Sequence, residues 1–200
     1  MLNAADTVFN ERLMYPTYEI IGGKKIMAPS ATLFHSDAID ELLFEFRLYF
    51  RQHQNSGYAF GDHVDVHFSE DSVYKPDLVV ITEENKSIMS TNKAIYGAPD
   101  MVVEVLSRST RKKDLTVKKD TYEKYGVKEY WIVDPYMKSI SVYLLRDGKY
   151  EFDDEYICFD DDEFKDLSEE EKAEVKFEIS PSIFPDLKIK LRDIFSWSYR

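Results

Sequence analysis

Two carboxylates and a lysine near the middle of the chain, Asp77, Glu104 and Lys118, are of the right types to act together on a phosphate ester. The stretch PDMVVEVLS (Pro99–Ser107) reads as an apolar strand. At period two, Asp100, Val102, Glu104 and Leu106 share one face, and Met101, Val103, Val105 and Ser107 share the other. A carboxylate flanked on its own side by Val102 and Leu106 is costly unless it is protonated, paired or bound to a metal. Asp77, in YKPDLVVIT (Tyr74–Thr82), repeats the pattern one strand earlier, on the face of Val79 and Ile81. Two acids from neighbouring strands facing one side suit a hard divalent cation, Mg²⁺ (or Mn²⁺), which prefers oxygen ligands. Asp100 is the rival first carboxylate. It stands four residues before Glu104 on one strand, roughly 13 Å away at extended rise, too far to share an ion directly.

The helix expected after Glu104 supplies the complement. RSTRKKDLTVKKDTYEKYG ends on Gly126, a natural helix stop. Steps of three and four put Leu115, Lys118, Tyr122 and Tyr125 on its inward stripe, and Asp114, Lys118 and Tyr122 are successive i, i+4 neighbours. A lysine on that stripe is placed to reach a carboxylate–metal centre, where it can orient water or neutralise developing charge; the cation polarises a phosphoryl oxygen. Phosphodiester hydrolysis is the chemistry this set suits. The competing readings are structural: a buried Glu104 paired with a base, and a Lys118 that snorkels to solvent along Tyr122.

The elements that must hold these groups follow from patterning. Tyr18–Ile21 and Lys25–Ala28, joined at Gly22-Gly23, predict an N-terminal β-hairpin. His35, Ile39, Leu42, Phe46 and Tyr49 mark an amphipathic helix with Ser30 as N-cap. Gly57 and Gly61 bracket an expected turn, followed by a half-buried strand in which Val64, Val66 and Phe68 alternate with His63, Asp65 and His67. EYWIVDP and SISVYLL pair around an Asp134–Lys138 turn, and Asp100–Asp134 forms a βαβ unit with parallel strands. The acidic Glu151–Glu174 stretch is expected as helix plus loop, and the chain closes with a strand and a short helix. The fold class is α/β, a mixed β-sheet flanked by helices, in one domain spanning 1–200.

Composition narrows the setting. The 200 residues, 44% hydrophobic and 14% aromatic, are those of a globular chain. No apolar run approaches a membrane span, and MLNAADTVFNERLMYP has no signal-peptide pattern. One cysteine, Cys158, cannot form an internal disulfide or a Cys-rich zinc site and has no visible base. A cytoplasmic location, away from membranes, is expected. The net charge of −12 argues against nucleic acid until its distribution is read. Arg108–Lys128 carries eight Lys or Arg against three acids, while nearly all the excess acid lies in Glu151–Glu174.

The runs YKPDLVVI and GAPDMVVEVLSRSTRKKDLTVKKDTYEKYGVKEYWIVDP resemble the Uma family of bacterial restriction-endonuclease-like proteins, within the PD-(D/E)xK nuclease superfamily. The similarity runs from YEIIGGKKIMAPSATLFHSD to SIFPDLKIKLRDIF. It implies a restriction-endonuclease-like core and Mg²⁺-dependent phosphodiester cleavage, with DNA as the expected partner. Asp77 matches the PD aspartate and Glu104 the second acid. Leu106 stands where the superfamily pattern has lysine, and the resemblance implies a migrated lysine, with Lys118 at the matching helix position. By the same resemblance the Val105 carbonyl adds a metal ligand. His35, often present in the family, opens the first long helix; on its apolar stripe it also reads as a satisfied core histidine. With Asp114 and Tyr122 it forms the expected surrounding shell. Glu41 and Glu45 could serve as the superfamily's early acid but do not fit the inward stripe. Tyr130 and Trp131 read as sheet packing, and His63 and His67 as exposed strand residues. A homodimer is expected by analogy with enzymes that cut both strands. Two rival functions stand beside nuclease activity: a nuclease-like fold that only binds nucleic acid or protein, and a partner protein using the acidic segment as its surface.

Overall fold

Strand alternation sorts the apolar residues into two cores, one on each face of a single large sheet. The computed structural model describes residues 18–27, 32–61, 64–90, 94–108 and 110–196. The elements are β1 (Tyr18–Ile21), β2 (Lys24–Met27), α1 (Leu33–Gln52), β3 (Gly57–Gly61), β4 (Val66–Ser69), β5 (Ser72–Tyr74), β6 (Leu78–Thr82), β7 (Ile95–Tyr96) and β8 (Met101–Val105). There follow α2 (Arg111–Lys113), a π-helical turn (Asp114–Lys118), α3 (Lys119–Tyr125), β9 (Glu129–Asp134), β10 (Ser139–Arg146), β11 (Lys149–Ile157), α4 (Asp161–Asp166), α5 (Glu169–Glu174), β12 (Glu178–Ile179), β13 (Ile189–Lys190) and α6 (Leu191–Ile194).

The large sheet has strand order β11-β10-β9-β8-β6-β3, and the expected parallel pair β8–β9 lies within it. On one face Met101, Val103, Val105, Trp131 and Val133 pack against Ala38, Ile39, Leu42 and Phe46 of α1 and against the C-terminal segment from Ile179 to Phe195. On the other, Val102, Leu106, Tyr130 and Ile132 meet Tyr122 and Val127 and, from a second sheet, Val66, Tyr74 and Ile95. That second sheet runs β2-β1-β5-β4-β7, so the fold is mixed α/β with two mixed sheets, and β12–β13 forms a separate two-stranded ribbon. The hairpin β1–β2 turns on Gly22 and Gly23, both at positive φ (56° and 73°), the geometry a two-residue turn demands.

Several expected boundaries move. Lys24, not Lys25, opens β2; Ala28 and Ser30 lie outside the described residues, and α1 is capped instead by Thr32, whose Oγ1 accepts from the His35 N–H at 3.3 Å. Gly57 and Gly61 do not bracket a turn; they are the two ends of β3, an edge strand paired antiparallel with β6. A Cβ on Gly57 would stand 2.7 Å from the Ile81 carbonyl oxygen, so this glycine serves close strand approach. The Tyr74–Thr82 strand is two strands in different sheets, because Pro76 withholds an N–H and the chain changes sheet across Lys75–Asp77. Val64 precedes β4 instead of lying in it, His63 lies outside the described residues, and His67 is half-buried with its ring stacked on Tyr96 at 4.9 Å. The first part of the acidic stretch is not helical. It is β11, paired along β10, and only Asp160 and Ser168 begin helices, each with a capping box.

Asp100, the rival carboxylate, is accounted for structurally. Its Oδ2 accepts from the Thr82 N–H (2.8 Å), the Thr82 hydroxyl (3.0 Å) and Asn85 Nδ2 (3.1 Å), and its Oδ1 from Lys128 Nζ (2.7 Å). Burial pushes this carboxyl up, but these donors outweigh it and hold it below its ordinary value. A depressed acid contributes stability that is present above its unfolded pKa and is lost as pH falls through the folded one. Asp100→Asn should therefore lower the urea midpoint at pH 7, by about 1–3 kcal/mol. Between pH 5 and pH 2.5 the variant should lose less stability than the parent; parallel losses would refute this role.

Candidate active site

Segments distant in sequence bring carboxyl groups and a lysine together around β8. Glu104 is the one acid within β8, buried on the face shared with Val102 and Leu106 as its alternation requires. Its Oε2 accepts from Lys118 Nζ at 2.9 Å and its Oε1 from the Tyr122 hydroxyl at 2.5 Å. Lys118 Nζ also lies 3.1 Å from Glu19 Oε1 and 3.4 Å from Asp114 Oδ1. Asp77, on the turn into β6, accepts from the Val105 N–H at 2.7 Å, and its Oδ2 stands 3.3 Å from His35 Nε2. Glu104, Lys118, Asp114, Tyr122 and Glu19 are joined by direct contacts, whereas Asp77 and His35 pair with each other and reach β8 through the Val105 N–H, not its carbonyl.

The helix does this by departing from α-geometry. With Leu115 on the inward stripe, Asp114 would be turned partly away. The π-helical turn widens the coil at Asp114–Lys118, Leu115 swings to the surface, and Asp114 and Lys118 are buried together with Tyr122 of α3. The Tyr130 hydroxyl donates to the Asp114 carbonyl at 3.0 Å, fastening the start of that turn to β9. Tyr130 and Trp131 are fully buried, as packing residues should be. Gly126, at φ 87°, closes α3 where the sequence placed its end.

Electrostatics make the cluster tense. Burial drives the Glu104 carboxyl well above its usual range, opposed by Lys118 and reinforced by Asp114, Asp77 and Glu19. Burial likewise raises Asp114, again against Lys118. At Lys118 burial disfavours charge, but the same four carboxylates outweigh it and hold the ammonium charged. Three carboxyl groups, those of Glu104, Glu19 and Asp114, thus share one lysine in a site shielded from water. Carboxylate oxygens gathered where little solvent reaches are the hard donors a divalent cation takes. Among the described residues, no three His, Cys, Asp or Glu side chains stand close enough together to enclose an ion as they lie.

Sequence reasoning missed Glu19. It is buried, and its Oε1 accepts from the Lys75 N–H at 3.1 Å as well as contacting Lys118. The signal was present: an acid inside the short apolar strand YEII, the same anomaly that exposed Glu104. Glu45 is raised by burial and by its neighbours Asp193 and Glu41.

The architecture is that of a nuclease-like α/β protein. It is similar in fold to the crystal structure of a putative nuclease belonging to DUF820 from Anabaena variabilis ATCC 29413, with a TM-score of 0.68 and 23% identity, over 94% of this chain and 97% of that one. The chain belongs to the Uma2 family, described as "Putative restriction endonuclease", whose model matches residues 11–179. No curated protein matches the chain. No helix among the described residues is long and apolar enough to cross a membrane.

If Lys118 holds the carboxylates together, its loss must cost more than a surface ion pair. Lys118→Ala should destabilise by about 3–5 kcal/mol in urea unfolding, the range for stranding buried charge. Adding Glu104→Gln should recover part of that loss, a coupling of about 0.5–3 kcal/mol. Strictly additive effects would show that the two groups are energetically independent.

Proposed function

We propose that the protein is a Mg²⁺-dependent (or Mn²⁺-dependent) endonuclease of the cytoplasm that hydrolyses phosphodiester bonds in DNA. Membership of a restriction-endonuclease-like family sets the class. The single observation that supports the chemistry is that Lys118 pairs with Glu104 while Asp77 docks on the N–H of the next residue, Val105, at the end of β8. Asp77, Glu104 and the Val105 carbonyl would hold the cation. When bound, it supplies Lewis-acid polarisation of the phosphoryl oxygen and a water of lowered pKa.

The remaining work falls to the chain's own groups. Lys118, kept charged by its carboxylates, neutralises negative charge as it builds on the phosphate. Tyr122 fixes the orientation of Glu104 by donating to Oε1, His35 does the same for Asp77, and Asp114 restrains the lysine from the other side. Arg108, Arg111 and Lys112 are exposed where the helix begins, and would grip the DNA backbone there. The reading takes residues 1–200 as one domain working as a homodimer, since two like sites are needed to cut both strands together.

A second reading is favoured by one observation. Both Glu104 oxygens are already engaged, by Lys118 and Tyr122, and Leu106 occupies the superfamily's usual lysine position. A protein that keeps this cluster as a structural core would bind nucleic acid or protein without cutting. Supercoiled plasmid incubated with Mg²⁺ or Mn²⁺ separates the two. The parent should nick or linearise it, and Asp77→Ala, Glu104→Ala and Lys118→Ala should each reduce the rate by about 10²–10³-fold. Cleavage indifferent to all three substitutions would discredit the site, and DNA binding without cleavage by the parent would favour the second reading.

A further inference from the structure

The loop after β9 and the start of α1 present apolar side chains to solvent. Phe34 and Tyr136 meet edge to face, with ring centroids 6.2 Å apart and planes at 67°. Phe34 is 39% exposed and Tyr136 51%, and their chain neighbours Leu33 and Met137 are 70% and 66% exposed. Each ring is tied by sequence and contact to the site. Phe34 precedes His35, which stands 3.3 Å from Asp77. Tyr136 lies two residues past Asp134, whose Oδ1 accepts from the Tyr136 N–H at 3.0 Å and whose Oδ2 accepts from Arg111 Nη1 at 2.5 Å. Arg111 opens the helix that carries Asp114 and Lys118, and the Leu106 N–H bond to the Val133 carbonyl (2.7 Å) sets the ends of β8 and β9 side by side. Tyr136 and Arg111 therefore share Asp134, and Phe34 sits one residue from His35, the partner of Asp77.

We infer that the Phe34–Tyr136 pair, with Arg111 tied to its loop through Asp134, is a stacking platform for unpaired nucleotides, so that the DNA accepted at this site is single-stranded or frayed at the point of attack. The inference rests on the nucleic-acid reading above and deepens it. An intact duplex turns its base faces inward and offers a binding surface mainly phosphates, for which exposed rings have no use. Unstacked bases present a π-face whatever their identity, and stacking on aromatic side chains is the sequence-tolerant way to hold them. Arg111 supplies the complementary grip on the backbone. Asp160 and Glu163, which approach the same turn, are engaged by Lys138 at 3.4 and 2.6 Å, which tempers their repulsion of a polyanion. This places Phe34 and Tyr136 in substrate selection, apart from the bond-breaking groups.

The test is fluorescence anisotropy with a fluorescein-labelled single-stranded 20-mer and its blunt duplex, using the full chain in EDTA so that no cutting occurs. The parent should bind the single strand more tightly than the duplex. Phe34→Ala and Tyr136→Ala should each weaken single-strand binding about 10-fold, with duplex binding unchanged and the melting temperature retained; Tyr136→Phe should keep the parent's affinity. Equal losses on both probes, no loss on either, or a parent that does not bind the single strand would overturn the inference. So would substitutions that only dissociate a dimer in sedimentation, which would make the patch an interface between copies. Because binding is read without metal, absence of plasmid cleavage would defeat the hydrolase reading and leave this result standing.

Discussion

The structure is organised around a single ammonium. Lys118 sits out of reach of water, and in that medium an unpaired charge is far too costly to keep. Glu104 and Asp114 stabilise it from β8 and the helix, and Glu19 from the hairpin. The arrangement works in reverse as well: the ammonium opposes the burial that pushes Glu104 and Asp114 up. A hairpin, a strand and a helix that share no continuous sequence are thereby required to meet in one register. Hydrophobic burial alone would tolerate small slips of the second sheet against the first; a shared lysine does not.

This dependence explains why the helix is irregular. A regular α-helix repeats its inward face every three or four residues and would carry Leu115 into the core. The extra residue in the π-turn rephases it, putting Asp114 and Lys118 inward, with the Tyr130 hydroxyl fastening the carbonyl at its start. The sequence pattern made Lys118 and Tyr122 legible because both stay inward in either geometry. Leu115 was misassigned because a π-turn leaves no mark in apolar periodicity. Glu104 was found through its apolar flanks, and Glu19, with the same kind of flanks, went unread because the strand around it is only four residues long. The βαβ unit and the Gly126 stop were legible from local rules. Gly57 was not, since its reason is a carbonyl oxygen on β6, contributed from elsewhere in the chain.

The acidic total is handled in the same economical way. Much of it lies on β11, the outer strand of the large sheet, with Glu151, Asp153, Asp154 and Glu155 along its length. An uncovered edge invites pairing with another chain, and rows of like charge discourage it. The same segment read as helix in the sequence because charge runs are ordinarily surface helix; the alternating Tyr150, Phe152 and Tyr156 were the contrary signal. The acid surplus thus protects an edge, while the exposed cations Arg108, Arg111 and Lys112 gather where the helix opens over the site.

Glu19 and Lys118 lie about a hundred residues apart in the chain, and β8 cannot pair with β9 until the intervening helix exists. During synthesis the hairpin, α1 and the first strands leave the ribosome with their acids facing no cation. They can collapse, but they cannot settle into the native register until the lysine arrives. A truncated product ending before the helix would therefore be a sticky, half-assembled species with no assembled site. Emergence of the helix with β9 and assembly of the cluster become one event.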